Sequence, residues 1–133
     1  MGRSDIQSVM LVSSTIKREA LIDLGEESSV LNLEVLGVSY STDLEAGCLF
    51  IFPSFRASSS RGEPDNQTVQ FSIEATFALT YSVAEMAEAT DIQFQAFGVS
   101  TGIYNCWPYW REFLQSISTR LGIPPVMLPP FRI

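Results

Sequence analysis

Residues 69–81 alternate without a break. Val69, Phe71, Ile73, Ala75, Phe77, Leu79 and Tyr81 are apolar, and Gln70, Ser72, Glu74, Thr76, Ala78 and Thr80 stand between them. A strand sends successive side chains to opposite faces, whereas a helix would scatter this set around its axis. The stretch therefore predicts a long antiparallel strand with one buried face. A lone strand cannot bury that face, so the chain must supply partner strands.

Three other stretches qualify. Residues 45–57 carry Cys48, Leu49, Phe50, Ile51, Phe52 and Phe55 and leave little polar face. They read as a strand covered on both faces, with Pro53 forcing a bulge or an edge position because it has no N–H. Leu31, Leu33 and Val35 alternate with Asn32 and Glu34, giving a strand that runs to about Tyr40. Residues 7–21 are rich in β-branched side chains and form a weaker fourth strand. The serine- and proline-bearing residues 57–67 read as an exposed hairpin loop. Four strands with short connections imply a twisted antiparallel sheet.

The period then changes. Ile103, Trp107, Trp110, Leu114, Ile117 and Leu121 recur at spacings of 4, 3, 4, 3 and 4. That is one seam of an α-helix. Residues 84–90 read as a short helical turn, and 91–97 are apolar and ambiguous. Ser100 or Thr101 is a suitable cap for the long helix. Pro108 either marks its first turn or kinks it. Gly122 ends it, and Pro124 and Pro125 follow, as after a helix stop. Residues 123–133 hold four prolines and must lie extended against the body or hang free. Cys106 and Phe113 widen the apolar face. Such a helix is either buried deeply in its own domain or meets a second subunit with its other face, and the sequence reading favours the second. Arg111 and Glu112 are expected to hold the helix start through ion pairs or hydrogen bonds.

Composition agrees with an assembly. The chain of 133 residues fits one domain, with 46% hydrophobic and only 17% charged residues. Ordinary globular chains carry about 25% charged residues. The surplus apolar surface belongs in a subunit interface or a groove. The net charge is −7, and the eight basic residues form no stripe, so nucleic acid is not an expected partner. No apolar run approaches the roughly 18 residues that span a membrane, and residues 9–12 are too short for a signal-peptide core. Cys48 and Cys106 sit in apolar runs, as buried free thiols of a cytoplasmic protein do.

The chain has no histidine, which removes the commonest general base and metal ligand and every Ser–His or Cys–His arrangement. No nucleotide-binding glycine loop or nucleophile elbow is present. Pairs such as Glu63 with Asp65 and Glu85 with Glu88 read as solvated faces. The expectation is no catalytic residue, no metal and no cofactor.

One segment resembles a known family. Pro108, Tyr109, Arg111, Glu112, Arg120, Gly122, Pro125, Met127 and Leu128 keep the order and spacing of the SecB protein-export chaperones and of SecB-like relatives linked to toxin–antitoxin systems. Upstream of about Phe94 the likeness is one of pattern only. The resemblance implies a single SecB-like domain over residues 1–133. Its fold would be α+β, with a four-stranded antiparallel sheet packed by one long C-terminal helix and an extended proline-rich tail. It implies a homo-oligomer, a dimer of dimers, that holds unfolded or precursor polypeptides in apolar grooves without ATP. SecB proper continues into a second helix and an acidic segment that docks on the translocation motor. With the chain ending at Ile133 these have no counterpart, so motor docking is in doubt. A holdase is expected, or a chaperone dedicated to one partner such as an antitoxin.

Client contact is expected at Leu31, Leu33 and Val35, the strand positions this family uses, and at Phe50, Phe52, Tyr104, Trp107, Met127 and Phe131. Taken singly, each of these six side chains is more readily explained by core packing, because aromatics are more often buried than exposed. Helix pairing between subunits is expected at Ile103, Trp110, Leu114, Ile117 and Leu121.

Overall fold

The computed structural model describes residues 4–19, 29–63, 65–83, 89–126 and 128–129. Four long strands, β1 (Ser4–Arg18), β2 (Ser29–Asp43), β3 (Cys48–Glu63) and β4 (Asn66–Val83), precede the helical part. That part comprises α1 (Asp91–Phe97), a π-helical turn (Gly98–Gly102) and α2 (Ile103–Leu121). The strands form one antiparallel sheet in the order β1-β4-β3-β2. This is the α+β sheet-and-helix arrangement expected from the sequence. β2, β3 and β4 follow one another as a meander, and β1 sits on the far side of β4.

The alternation in β4 does what its period requires. Phe71, Ile73, Ala75, Phe77, Leu79 and Tyr81 are all buried. Opposite them in β3 lie Leu49, Ile51, Phe55 and Ala57, each fully buried. α2 packs over this face. Trp110 stacks on Phe55 with ring centroids 5.2 Å apart, and Phe113 meets Phe77 edge-on at 6.2 Å. Burial of aromatic and branched side chains at roughly 25 cal/mol per Å² is the main force holding helix to sheet.

The hairpin loop expected over residues 57–67 is instead mostly strand. β3 runs to Glu63 and β4 starts at Asn66. β3 is a central strand, so its backbone is paired on both sides and the weak β propensity of serine does not decide. Ser59 Oγ donates to Gln70 Oε1 at 2.7 Å within the buried part of this ladder. Pro53 also departs from expectation, since it lies in central β3 opposite Val38. The β3–β4 pairing lapses at Phe52 and Pro53, between Ile51–Leu79 and Ser54–Thr76. The bulge falls on neighbouring β2, between Val35 and Gly37.

The helix begins earlier than Ser100. Thr90 caps α1 in a capping box with Gln93, and the helical path continues through the π turn into α2. Ser100 Oγ donates to Ala96 O inside it. Pro108 therefore lies within a helix already under way. Of the helical turn expected at 84–90, residues 84–88 lie outside the described residues, and 89–90 are not helical. Gly122 closes α2 with φ 69°, a left-handed conformation that only glycine adopts without strain. The tail then turns back along the helix. Ile123, Val126 and Leu128 are buried, and the Val126 N–H donates to Ser118 Oγ at 3.3 Å.

Candidate polypeptide-binding surface

β2 is an edge strand, and its two halves differ. Residues directly opposite across a ladder share a face. Leu31, Leu33 and Val35 face Ser59, Ala57 and Phe55 and so share the helix-covered side. α2 packs over β1, β3 and β4, whereas α1 and the π turn pack against β2. Val38 and Tyr40, in the second half of β2, are covered there. Tyr40 stacks near Phe94 at 5.4 Å and donates to Asp91 Oδ1 at 2.6 Å, and that hydrogen bond raises the Tyr40 pKa. Among the described residues the first half has no such cover, and Leu31, Leu33 and Val35 remain 45%, 42% and 46% exposed.

The other expected contact residues divide. Trp107 is half-buried, meets Phe55 edge-on at 6.0 Å and donates from Nε1 to Pro129 O at 2.7 Å, which ties the tail to the helix. Tyr104 is exposed on α2. Phe50 and Phe52 point to the opposite, helix-free face, opposite Ser41 and Ser39. One groove cannot hold them together with Leu33 and Trp107. Met127 and Phe131 lie outside the described residues.

The seam residues assigned to subunit pairing are spent inside the chain. Ile103, Trp110 and Leu114 are buried, and Ile117 and Leu121 pack against the same core. The exposed apolar side chains of the helical part are instead Ile92, Val99, Tyr104 and Tyr109, with Ile92 82% exposed. Arg111 Nε is buried and has no hydrogen-bond partner among the described residues, so it does not anchor the helix start there.

The helix-free face mixes polar side chains with apolar ones such as Met10, Phe50 and Phe52. Arg56 bridges Glu34 at 2.5 Å and Glu74 at 3.2 Å across three strands, and the bond to Glu34 does most to raise its pKa. Such exposed pairs add at most about 1 kcal/mol. A hollow of about 500 Å³ beside them is lined by hydroxyls of Ser13, Thr15, Ser39, Ser54 and Thr76. No cluster of three metal-ligating side chains occurs among the described residues. No helix among them is long and apolar enough to cross a membrane. Cys106 is buried and Cys48 half-buried, both as free thiols.

No family model matches the chain, and no curated protein matches it in sequence. A solved structure of the Mycobacterium tuberculosis SecB-like chaperone Rv1957, in complex with a ChAD peptide from the Rv1956 HigA1 antitoxin, superposes with a TM-score of 0.84. The two are 17% identical over 98% of this chain and 92% of that one. The fold is SecB-like. At this identity the likeness concerns architecture and carries no residue roles. A protein of unknown function from Streptococcus agalactiae matches at a TM-score of 0.44 and 10% identity, over 96% of this chain and 97% of that one. Among the apolar side chains that α2 leaves open are those of the first half of β2, alongside Ile6, Leu11 and Ile16 of β1.

Proposed function

We propose that this protein is an ATP-independent cytoplasmic holdase that binds unfolded or precursor polypeptides on an apolar surface. The observation that carries the reading is the row Leu31, Leu33 and Val35, apolar, aligned and nearly half exposed at a sheet edge. An isolated exposed leucine is ordinary, but three in register form a patch. Unfolded chains expose apolar side chains that such a row removes from water. Several weak contacts on one oligomer add through effective concentration. The subunits pair through exposed apolar side chains of the helical part, among them Ile92 and Val99, in a dimer or dimer of dimers.

A second reading rests on the SecB-like neighbour, whose solved complex holds an antitoxin peptide. The chain would then serve one cognate polypeptide and bind generic unfolded chains weakly.

The test is dilution of a chemically denatured enzyme into the purified protein without nucleotide, followed by light scattering. Suppression that is lost in the Leu31→Ser, Leu33→Ser, Val35→Ser triple variant, with circular dichroism unchanged, supports the holdase. No suppression by the wild-type chain refutes it. Tight capture of a single partner from the same cells, without general suppression, selects the dedicated chaperone.

A further inference from the structure

The ladders of the sheet break at one level. β1 carries an extra residue, Val12, between the pairs Leu11–Phe77 and Ser13–Thr76. The β3–β4 ladder lapses at Phe52 and Pro53, between Ile51–Leu79 and Ser54–Thr76. β2 carries an extra residue, Leu36, between Val35–Phe55 and Gly37–Ser54. Thr76 borders the first two breaks and Ser54 the last two, so they form one line across all four strands. A bulge bends its strand and raises the local twist. Val38, opposite Pro53, turns its carbonyl outward to Gln95 Nε2 at 3.2 Å, so Pro53 presents its missing donor to β4.

The helical layer is interrupted at the same level. Asn105 Nδ2 donates to the Tyr81 hydroxyl at 3.0 Å, on one side of the line. Trp107 and Trp110 meet Phe55 on the other side, at 6.0 and 5.2 Å. Pro108 lies among these residues of α2. It has no N–H to give to the Tyr104 carbonyl, and such a missing rung is where helices bend.

We propose that this line is a hinge about which the two ends of the subunit rock. One body comprises residues 4–11, 37–51 and 78–83. α1, the π turn and the start of α2 rest on its Val38, Tyr40, Ile51 and Tyr81. The other comprises residues 13–18, 29–35, 54–63 and 66–76, with the rest of α2, whose last carbonyl accepts a hydrogen bond from Arg18. Phe113 meets Phe77 on the line itself. The hinge follows from the fold and does not rest on the holdase reading.

Space for the movement lies along the line. The hollow of about 500 Å³ on the helix-free face is walled by Ser13, Gly37, Ser54 and Thr76, the residues that border the breaks. A β carbon on Gly37 would meet nothing within 4 Å. Rocking narrows or widens this hollow, and the angle sets how far α1 stands from Val35 on the other body. Contacts made by Ile92 and Val99, which ride with α1 and the π turn, thereby bear on how much of that neighbouring strand is open. Hinges of this kind absorb movement at a few element-terminal or irregular positions.

The test is nitrogen relaxation dispersion on the full chain, which reads microsecond-to-millisecond exchange. The amides of Val12, Leu36, Ser54 and Thr76 are expected to share one exchange rate, while Ile51 and Ile73, inside the bodies, show none. Pro53→Ala supplies the missing donor to β4. Pro108→Ala, at an exposed helix position, supplies the one to Tyr104. Each is expected to lower the exchange amplitude about threefold on all four strands, as a modest population shift would. The effect should reach Val12 and Leu36, which neither substitution adjoins in sequence.

No exchange along the line, exchange confined to one strand, or wild-type amplitude in both variants would overturn the hinge. An effect limited to the neighbours of each substitution would reduce the prolines to local roles and overturn it as well. Should Pro53→Ala fail to fold, Pro108→Ala decides alone.

Discussion

Gly102 lies against Ile51 with no room for a side chain between them. A β carbon on Gly102 would stand 2.8 Å from Cγ2 of Ile51, a fully buried branched residue. Gly98, one turn earlier, would put its β carbon 3.0 Å from Val38 and 3.3 Å from Ile51. The two glycines let the π turn rest on β2 and β3, which places α1 over Val38 and Tyr40 and stops cover short of Val35.

Gly102→Ala is therefore expected to destabilise the fold by up to about 2 kcal/mol in urea denaturation. Overpacking costs about 1–3 kcal/mol, and alanine regains about 1 in helix propensity. Ile51→Leu moves the branch away from Cβ and should restore most of the loss in the double variant. Additive effects would show that the contact is not what excludes a side chain.

Burial pushes the Cys106 thiol up to about 12 from an ordinary 9.0. The folded state keeps this proton after the unfolded chain has lost it. Stability from this group is complete below pH 9 and falls as pH rises toward 12, by about 1.4 kcal/mol per pH unit. Burial moves Tyr81 in the same direction from 10.0, so the interval from pH 9 to 10 isolates the thiol best. Urea midpoints should drop there in the wild type and much less in Cys106→Ala. Equal slopes in both would assign the alkaline loss elsewhere.

Ser118 is fully buried and bonds in two directions, donating to Leu114 O at 2.7 Å and accepting from the Val126 N–H. Ser118→Ala leaves that buried N–H without a partner, at about 1–3 kcal/mol. Thermal unfolding should shift down, and Val126 amide exchange should accelerate. Unchanged exchange at Val126 would mean that the tail is held by its apolar side chains alone.

Ile92→Asp with Val99→Asp tests the exposed apolar side chains of the helical part as the subunit contact. Both side chains are exposed in the subunit, so folding stability should change by no more than about 0.5 kcal/mol. Native mass spectrometry should show the wild-type oligomer and a smaller species for the variant. A wild-type monomer refutes assembly, and an unchanged oligomer refutes this face as the contact.

Trp107 ties the tail through its indole N–H to Pro129 O. Trp107→Phe keeps the ring against Phe55 and deletes the donor. Proteolysis of the tail should speed up severalfold while the far-ultraviolet spectrum stays the same. Equal cleavage rates would show that this bond contributes nothing to tail docking.

Local pattern carried much of this protein. The period of two in β4, the alternation of Leu31, Leu33 and Val35, the seam from Ile103 to Leu121 and the stop at Gly122 are all written in nearest-neighbour spacing. Backbone geometry converts such spacing directly into strand, helix or cap. Other features depend on residues far apart in the chain. Serines 58–60 are strand because β3 has a neighbour on each side. The helical part starts at Asp91, behind its Thr90 cap, and its π turn docks on Ile51 through Gly98 and Gly102. Phe50 and Phe52 face away from Trp107, whereas Trp110 and Leu114 close the subunit's own core. Whether Leu33 is core or surface follows from β2 being an edge, and that from β1 crossing to pair with β4. Alternation sorts side chains between two faces, but burial depends on what lies over each face, and only the assembled sheet and helix decide that.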